Sequence, residues 1–101
     1  MDYRGRRWLR KRQTILRLDG YTDQIQKRYG RIIAANTVHH IYPADDYPQY
    51  AYEDWNLIAV SKETHNSLHD RDTRELTDEG RRLMRKTKPG VNWRMKCGTN
   101  V

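Results

Sequence analysis

Residues 37–69 read TVHHIYPADDYPQYAYEDWNLIAVSKETHNSLH and contain all four histidines of the chain. The histidines form an adjacent pair, His39-His40, and a pair four residues apart, His65 and His69. The second pair falls in a predicted helix over residues 62 to about 70, for which Ser61 is a good N-cap. Because residues i and i+4 lie on one face of a helix, His65 and His69 can present two imidazoles to one metal ion.

Two imidazoles rarely suffice to hold a metal, so a third ligand is expected from the strand that carries His39-His40. This requires that strand to pair with the apolar strand predicted at residues 57–60. The result is a three-histidine site with open positions, as a catalytic metal needs. The remaining histidine stays unligated, and with a pKa near 6.5 it can accept a proton from water. Asn56 offers an amide and a carbonyl to orient that imidazole.

Adjacent side chains on a strand point to opposite faces, so His39 and His40 converge only at a bulge or a strand end. Pro43, shortly after the pair, favours a strand end.

The flanking segments predict two helices and a hairpin. Apolar positions between basic residues predict an amphipathic helix over about 4–18, and Thr77 caps a helix over about 78–86. Residues 31–34 and 37–41 are rich in β-formers and predict a local hairpin. Residues 42–55 show no period and predict an ordered loop, in which Trp55 and the tyrosines serve packing rather than base stacking.

The charge is strongly basic and unevenly distributed. The chain has 20 Lys and Arg against 13 Asp and Glu, for a net charge of +7. Residues 1–17 carry seven basic residues and one acidic residue, a net of +6; residues 81–101 carry seven basic residues and none acidic, a net of +7, which leaves −6 for the middle. In one interpretation, the cationic ends contact phosphates and the anionic centre binds a metal cation. In the other, the ends are simply two solvated tails.

Length and composition predict one domain and exclude several classes. The chain has 101 residues, of which 36% are hydrophobic, which predicts a thin core within a single domain. The single cysteine, Cys97, excludes an internal disulfide framework and is expected to be inert. No apolar run is long enough for a membrane span, and residues 1–13 lack the apolar stretch of a signal peptide. We expect a cytoplasmic protein.

The histidine pattern resembles the HNH endonucleases, whose ββα-metal motif is a β-hairpin, a loop and a helix around one divalent ion. The resemblance rests on Val38-His39-His40-Ile41, on Asn56-Leu57-Ile58-Ala59, and on Thr64-His65-Asn66 followed by His69. It implies that His39, His65 and His69 bind the metal and that His40 is the general base. It also aligns the family's asparagine with Asn56, which is expected to orient His40. More weakly, it extends from about Ile15 to Gly80.

The sequence departs from the family pattern at a structural zinc site. Many members carry two Cys-x-x-Cys pairs, and the flanking residues align those cysteines with Asp23, Gln26, Ser61 and Thr64. This set is poorly suited to tetrahedral zinc. We therefore expect no structural zinc, with hydrogen bonds among these side chains in its place.

Together these features predict an α+β single domain over residues 1–101: a ββα-metal core at about 31–70, a basic helix at about 4–18, and a helix with a basic tail at about 77–101. The expected activity is hydrolysis of DNA phosphodiester bonds with one divalent ion, Mg, Mn, Ni or Zn, which stabilises the charge on phosphorus and the departing 3′ oxygen. One site nicks one strand, with low sequence specificity, in a monomer or weak dimer encoded by a bacterium or phage. Candidate DNA contacts are Arg4, Arg6, Arg7, Arg10, Lys11, Arg71 and Arg74.

Two other classes remain open. One is a noncatalytic nucleic-acid-binding module with a structural metal, which would need no free imidazole at His40. The other is a regulator whose basic ends bind an acidic protein, and which would lack the steep salt dependence of DNA binding.

Overall fold

A computed structural model of the protein describes residues 1–94. The predicted tail residues 95–101, including Cys97, lie outside this range. Within it the fold is α+β, as predicted, with a two-stranded antiparallel sheet between helices. The elements are α1 (Arg6–Leu18), α2 (Gln24–Arg28), β1 (Thr37–His40), β2 (Leu57–Val60), α3 (Lys62–Leu68) and α4 (Asp78–Lys86), with 3-10 turns at Pro48–Tyr50 and Asp54–Asn56.

β1 pairs with β2 in a register that aligns His39 with Ile58 and His40 with Leu57. The predicted local hairpin between residues 31–34 and 37–41 is therefore wrong. Residues 31–33 form no strand, and Ile32 is 81% exposed. Every residue of β2 is buried, so pairing with β2 removes far more apolar surface from water than a hairpin with the exposed segment would.

The sheet has a buried cluster on each face. Val38 and Leu57 pack with Trp8 and Ile15 of α1. Ile58 and its neighbours on the other face pack with α3 and α4. Because side chains alternate along a strand, His40 shares the α1 face with Val38, whereas His39 faces α3. The two histidines thus point to opposite faces, and β1 ends at His40.

α1 begins two residues later than predicted, at Arg6, and buries Trp8, Ile15 and Leu16. The same helix therefore carries basic residues and contributes apolar side chains to the thin core. In the part of the chain that the structure describes, no helix combines the length and apolarity needed to cross a membrane.

α3 is shorter than the predicted helix. It starts where expected, with the Ser61 hydroxyl accepting from the Thr64 amide at 3.1 Å, but it ends at Leu68 rather than near Asp70. His69 is extended and forms a β-bridge with Leu76. Two backbone bonds stabilise this return of the chain, from Asp70 N to Glu75 O at 2.7 Å and from Thr77 N to Leu68 O at 3.0 Å.

The four positions aligned with the family's zinc cysteines form the hydrogen bonds expected of them. The buried carboxylate of Asp23 accepts from the backbone amides of Gln26 at 2.9 Å and Ser61 at 2.8 Å. The Thr64 hydroxyl oxygen accepts from Ser61 at 3.0 Å and from the Gln26 amide at 3.3 Å. Burial alone would raise the pKa of Asp23, but these amide donors outweigh it and hold the pKa below its ordinary value. The network joins α2 to the start of α3.

A second polar anchor lies at the end of the described chain. Arg94 forms an ion pair with the buried carboxylate of Asp19 at 2.7 Å and donates to the carbonyls of Asp54 and Leu57. Trp93 donates from its indole to the carbonyl of Trp55 at 2.9 Å. These bonds fasten the chain end to α1 and to the start of β2.

Candidate metal centre and catalytic cleft

Three histidine side chains lie close together: His39 from β1, His65 from α3, and His69 from the turn after α3. The ring centroids of His39, His65 and His69 are 5.3, 5.1 and 5.1 Å apart in pairs. One nitrogen of each ring lies within 4.8 Å of one nitrogen of each of the others. In residues 1–94 these three are the group whose ligand atoms are close enough to hold a metal ion. The predicted ligand residues are therefore brought together.

The environment of His39 fits a metal ligand. The residue is fully buried, and neither ring nitrogen has a hydrogen-bond partner within the described chain. Burial, followed by the proximity of His65 and His69, holds the pKa of His39 well below its ordinary value. A neutral buried imidazole without a partner is costly, and coordination of a cation would satisfy it.

The imidazoles of His65 and His69 have different environments. Burial is the first cause that lowers the pKa of His65, and the neighbouring His69 is the second. His69 lies 3.2 Å from the carbonyl of Arg74 through Nδ1. Because a carbonyl only accepts, Nδ1 carries the proton and Nε2 remains available to bind a metal. Arg74 has a positive φ of 63°, so the turn that supplies this carbonyl is a constrained one.

His40 lies outside the triad and has separate contacts. Its Nε2 donates to the carbonyl of Ala51 at 3.0 Å, so Nδ1 is left as the acceptor of the neutral ring. Burial lowers the pKa of His40, and the contact with Ala51 offsets this only in part. With His65 and His69 it lines a cleft of about 590 Å³. The arrangement provides a neutral proton acceptor beside a three-nitrogen site.

Aromatic side chains from the N-terminal segment enclose His40. The indole of Trp8 stacks on the imidazole at a centroid distance of 4.9 Å and an interplanar angle of 20°. Tyr3 contacts both rings edge-on, at 6.1 Å from His40 and 5.6 Å from Trp8. The sequence pattern places Trp8 only on the apolar face of the helix, because stacking across distant segments leaves no local pattern.

Asn56 does not bond to His40, contrary to the expected orienting role. Its amide donates to the carbonyls of Tyr42 at 3.0 Å and Tyr50 at 3.1 Å, and its side-chain oxygen accepts from the Tyr42 amide at 2.7 Å. Asn56 thus ties together the loop that presents the Ala51 carbonyl to His40. The loop aromatics pack on one another, as predicted. The ring centroids of Tyr50 and Trp55, for example, are 4.7 Å apart.

The basic residues of the cleft differ in part from those predicted. Arg71 and Arg74 line it, as does Arg12, which the sequence analysis did not select. Arg12 is four residues from Trp8 and so lies on the same side of α1, a spacing that identifies it in retrospect. The other predicted contacts do not line the cleft. Arg7 lies over the ring of Tyr52 at 3.7 Å and Lys11 pairs with Asp54, while Arg4, Arg6 and Arg10 are exposed.

Two antiparallel strands and a helix around a three-histidine site define the ββα-metal class of fold. Comparison with solved structures identifies a similar protein, the HNH endonuclease of the deep-sea thermophilic bacteriophage GVE2, crystallised with manganese ion. The match has 30% sequence identity and a TM-score of 0.62, and covers 63% of this chain and 70% of that one. No family model and no curated protein matches the chain. The chain belongs to the HNH endonuclease family, in a form without the Cys-x-x-Cys pairs.

Proposed function

We propose that this protein is a divalent-metal-dependent endonuclease that hydrolyses phosphodiester bonds of DNA, with residues 1–101 forming one nuclease domain. The observation that carries the proposal is the proximity of two features at one cleft: a cluster of three histidines, of which His65 and His69 line the cleft, and a fourth histidine, His40, that lines it outside the cluster. The GVE2 relative is an HNH endonuclease with bound manganese, and the net charge of +7 suits a polyanionic substrate.

The four histidines have two roles in this proposal. His39, His65 and His69 would hold the ion, which when bound would polarise the scissile phosphate and offset negative charge in the transition state. His40 accepts a proton from the attacking water at Nδ1, while Ala51 keeps Nε2 protonated. Asn56 is a positioning residue because it holds the loop that contains Ala51.

The cleft arginines supply the contacts to substrate. Arg12, Arg71 and Arg74 line the walls around His40, where guanidinium groups can bind phosphates on either side of the scissile bond. The exposed Arg4, Arg6 and Arg10 would contribute only to long-range attraction of DNA. Such contacts carry little base information, which favours low sequence specificity.

The noncatalytic alternative, a binding module with a structural metal, differs at His40. A structural site is closed by four ligands and needs no free base beside it. In the nuclease, His40 is instead fixed by Ala51 and Trp8 with one nitrogen available. That preparation costs conformational freedom and has no purpose in a closed site.

The test is conversion of supercoiled plasmid to nicked circles with Mg²⁺, Mn²⁺, Ni²⁺, Zn²⁺ or EDTA. We expect metal-dependent nicking that His40→Ala reduces by about 100-fold or more, the usual size of a general-base contribution. His40→Ala should retain metal and DNA affinity, whereas His65→Ala should lose metal affinity as well as nicking. Salt-sensitive DNA binding without nicking under any ion would favour the binding module.

One site of this kind cuts one strand at a time, so we propose a nicking enzyme that acts as a monomer or weak dimer. Accumulation of nicked circles before linear product would support this, whereas direct appearance of linear DNA would contradict it. We further propose that it acts in the cytoplasm of a bacterium, encoded there or by a phage, since the relative is a phage protein.

A further inference from the structure

A second cleft lies on the side of α3 opposite the histidines. It has a volume of about 480 Å³. Thr64, Ser67 and Leu68 of α3 line it, whereas His65 and Asn66 line the histidine cleft. At about 100° per residue these two sets occupy opposite sides of the helix. One helix, about 10–12 Å across with its side chains, therefore separates the two clefts.

Basic side chains line this second cleft on two walls. Arg28 of α2 and the nearby Arg31 form one wall, and Arg82 and Lys86 of α4 form the other. Arg82 and Lys86 are four residues apart and so project from the same side of α4. Glu79 is the lining residue with a carboxylate. Four cations around one cleft repel one another, and a polyanion between the walls would relieve that repulsion.

The interior of this cleft fits phosphates better than an acidic peptide. Gln26, Thr64 and Ser67 line it with polar side chains that already hydrogen-bond to one another or to the backbone, so the cations of the two walls are the groups left to bind a ligand. Of the apolar and aromatic lining residues, Leu68 and Leu83 are buried, Ile25 is half-buried, and Tyr29 is 73% exposed. The cleft therefore offers one large exposed side chain rather than the several apolar pockets on which peptide affinity depends. Guanidinium groups bind phosphate oxygens in a forked geometry, and a row of phosphates can contact both walls at once.

We propose that this second cleft binds the sugar–phosphate backbone of DNA, at a place separate from the bond to be cut. The inference rests on the proposed function for the identity of its polyanion. It assigns a binding role to α2 and α4, which contribute no histidine to the candidate metal centre. Phosphate contacts in this second cleft would add to those of Arg12, Arg71 and Arg74 in the histidine cleft, so that DNA is held on both sides of α3.

The test measures how DNA affinity depends on salt, using a fluorescein-labelled duplex and proteins that all carry His40→Ala, so that the DNA stays intact. The test variant is Arg82→Gln with Lys86→Gln. The matched control is Arg85→Gln with Lys88→Gln, which removes the same charge from exposed positions at the end of α4 and just after it that do not line the cleft. All four side chains are exposed, so both variants should fold normally, as thermal melting will check.

Each lost phosphate contact lowers the slope of log affinity against log salt by about 0.9, so the test variant should lose about 1.8. Between about 50 and about 200 mM salt, the parent should then lose about tenfold more affinity than the variant. The control should keep the parental slope. Equal changes in both variants would mean that only net charge matters, and an unchanged slope in the test variant would mean that the cleft takes another anionic partner; either result overturns the proposal.

Plasmid nicking by the protein with His40 intact is measured separately. A reduced slope in a protein that does not nick would support the cleft while removing the nuclease. Nicking with no change of slope would retain the nuclease and reject the cleft.

Discussion

Trp8 stacks on His40, the proposed general base, and replacing Trp8 tests whether this contact positions the imidazole. In Trp8→Leu an apolar side chain still fills much of the space, but the flat surface 4.9 Å from the imidazole is lost. A stacked aromatic pair is worth about 0.5–1.5 kcal/mol beyond its buried area. If that energy holds the ring in its reactive orientation, kcat should fall by about two- to thirteenfold, since 1.36 kcal/mol corresponds to a factor of ten.

The pattern of kinetic changes distinguishes positioning from general destabilisation. KM for plasmid should change by less than about twofold, because Trp8 is only 5% exposed at the cleft and carries no charged group to bind phosphate. Trp8→Phe restores an aromatic face and should recover most of kcat. Metal affinity, measured by titration of the protein with Mn²⁺, should be unchanged, because the triad faces α3 rather than α1.

Leu16→Ala is the matched control. Leu16 belongs to the same buried cluster as Trp8, and its truncation should cost about 2–5 kcal/mol of stability. It is two helical turns from Trp8. We expect full kcat from this variant at temperatures where it is folded. If it loses as much kcat as Trp8→Leu, or if Trp8→Leu keeps the original kcat, the positioning role is refuted.

Three further predictions concern stability. Arg94→Ala should cost about 3–5 kcal/mol in urea denaturation, because it leaves the buried Asp19 carboxylate without its cation. Gly80→Ala should destabilise by about 1–2 kcal/mol despite the better helix propensity of alanine, since a Cβ there would run into the Leu68 carbonyl. The metal-free protein should lose stability as pH falls below about 6.5. In this range the unfolded chain binds a proton at His39, whereas the depressed pKa of His39 keeps the folded chain from binding it. The difference lowers the free energy of unfolding by up to about 1.4 kcal/mol per pH unit.

Each of these predictions has an internal control. Arg81→Ala removes an exposed ion pair and should change stability by about 1 kcal/mol or less. A Cβ at Gly5 would meet the flexible side chain of Asp2, so Gly5→Ala should be far milder than Gly80→Ala; equal effects would argue against close packing of α3 and α4. His39→Leu should reduce the slope of stability against pH without removing it, because burial also lowers the pKa of His40 and of His65. An unchanged slope would show that His39 does not contribute to it.

Local chemistry accounts for the features that the sequence predicted well. α4 lies where its Thr77 cap and acidic first turn indicated, and β2 where the apolar run 57–60 indicated. These elements depend on interactions within a few residues. The hairpin at 31–41 was wrong because the choice of strand partner depends on burial, and a local pattern of β-formers does not show which pairing buries more surface.

The candidate site divides in the same way. The spacing of the histidines and their resemblance to a known motif selected His39, His65 and His69, and the structure brings these rings together. The predicted helical position of His69 was wrong, because this residue lies just beyond the end of α3 and forms a β-bridge with Leu76. Tyr3 was missed because its contacts across the cleft have no signature in neighbouring residues, whereas Arg12 could have been selected from its i+4 spacing to Trp8 on α1.

The sequence by itself therefore determined the family, the α+β class, the excess of positive charge and the set of imidazoles that can form a metal site. These follow from residue types and short-range spacing. Only the tertiary structure decided that Ala51 rather than Asn56 contacts His40, that Trp8 stacks on it, and that α3 separates two basic clefts. These contacts join segments far apart in the chain, and they depend on how the buried clusters bring α1, the sheet and α3 together.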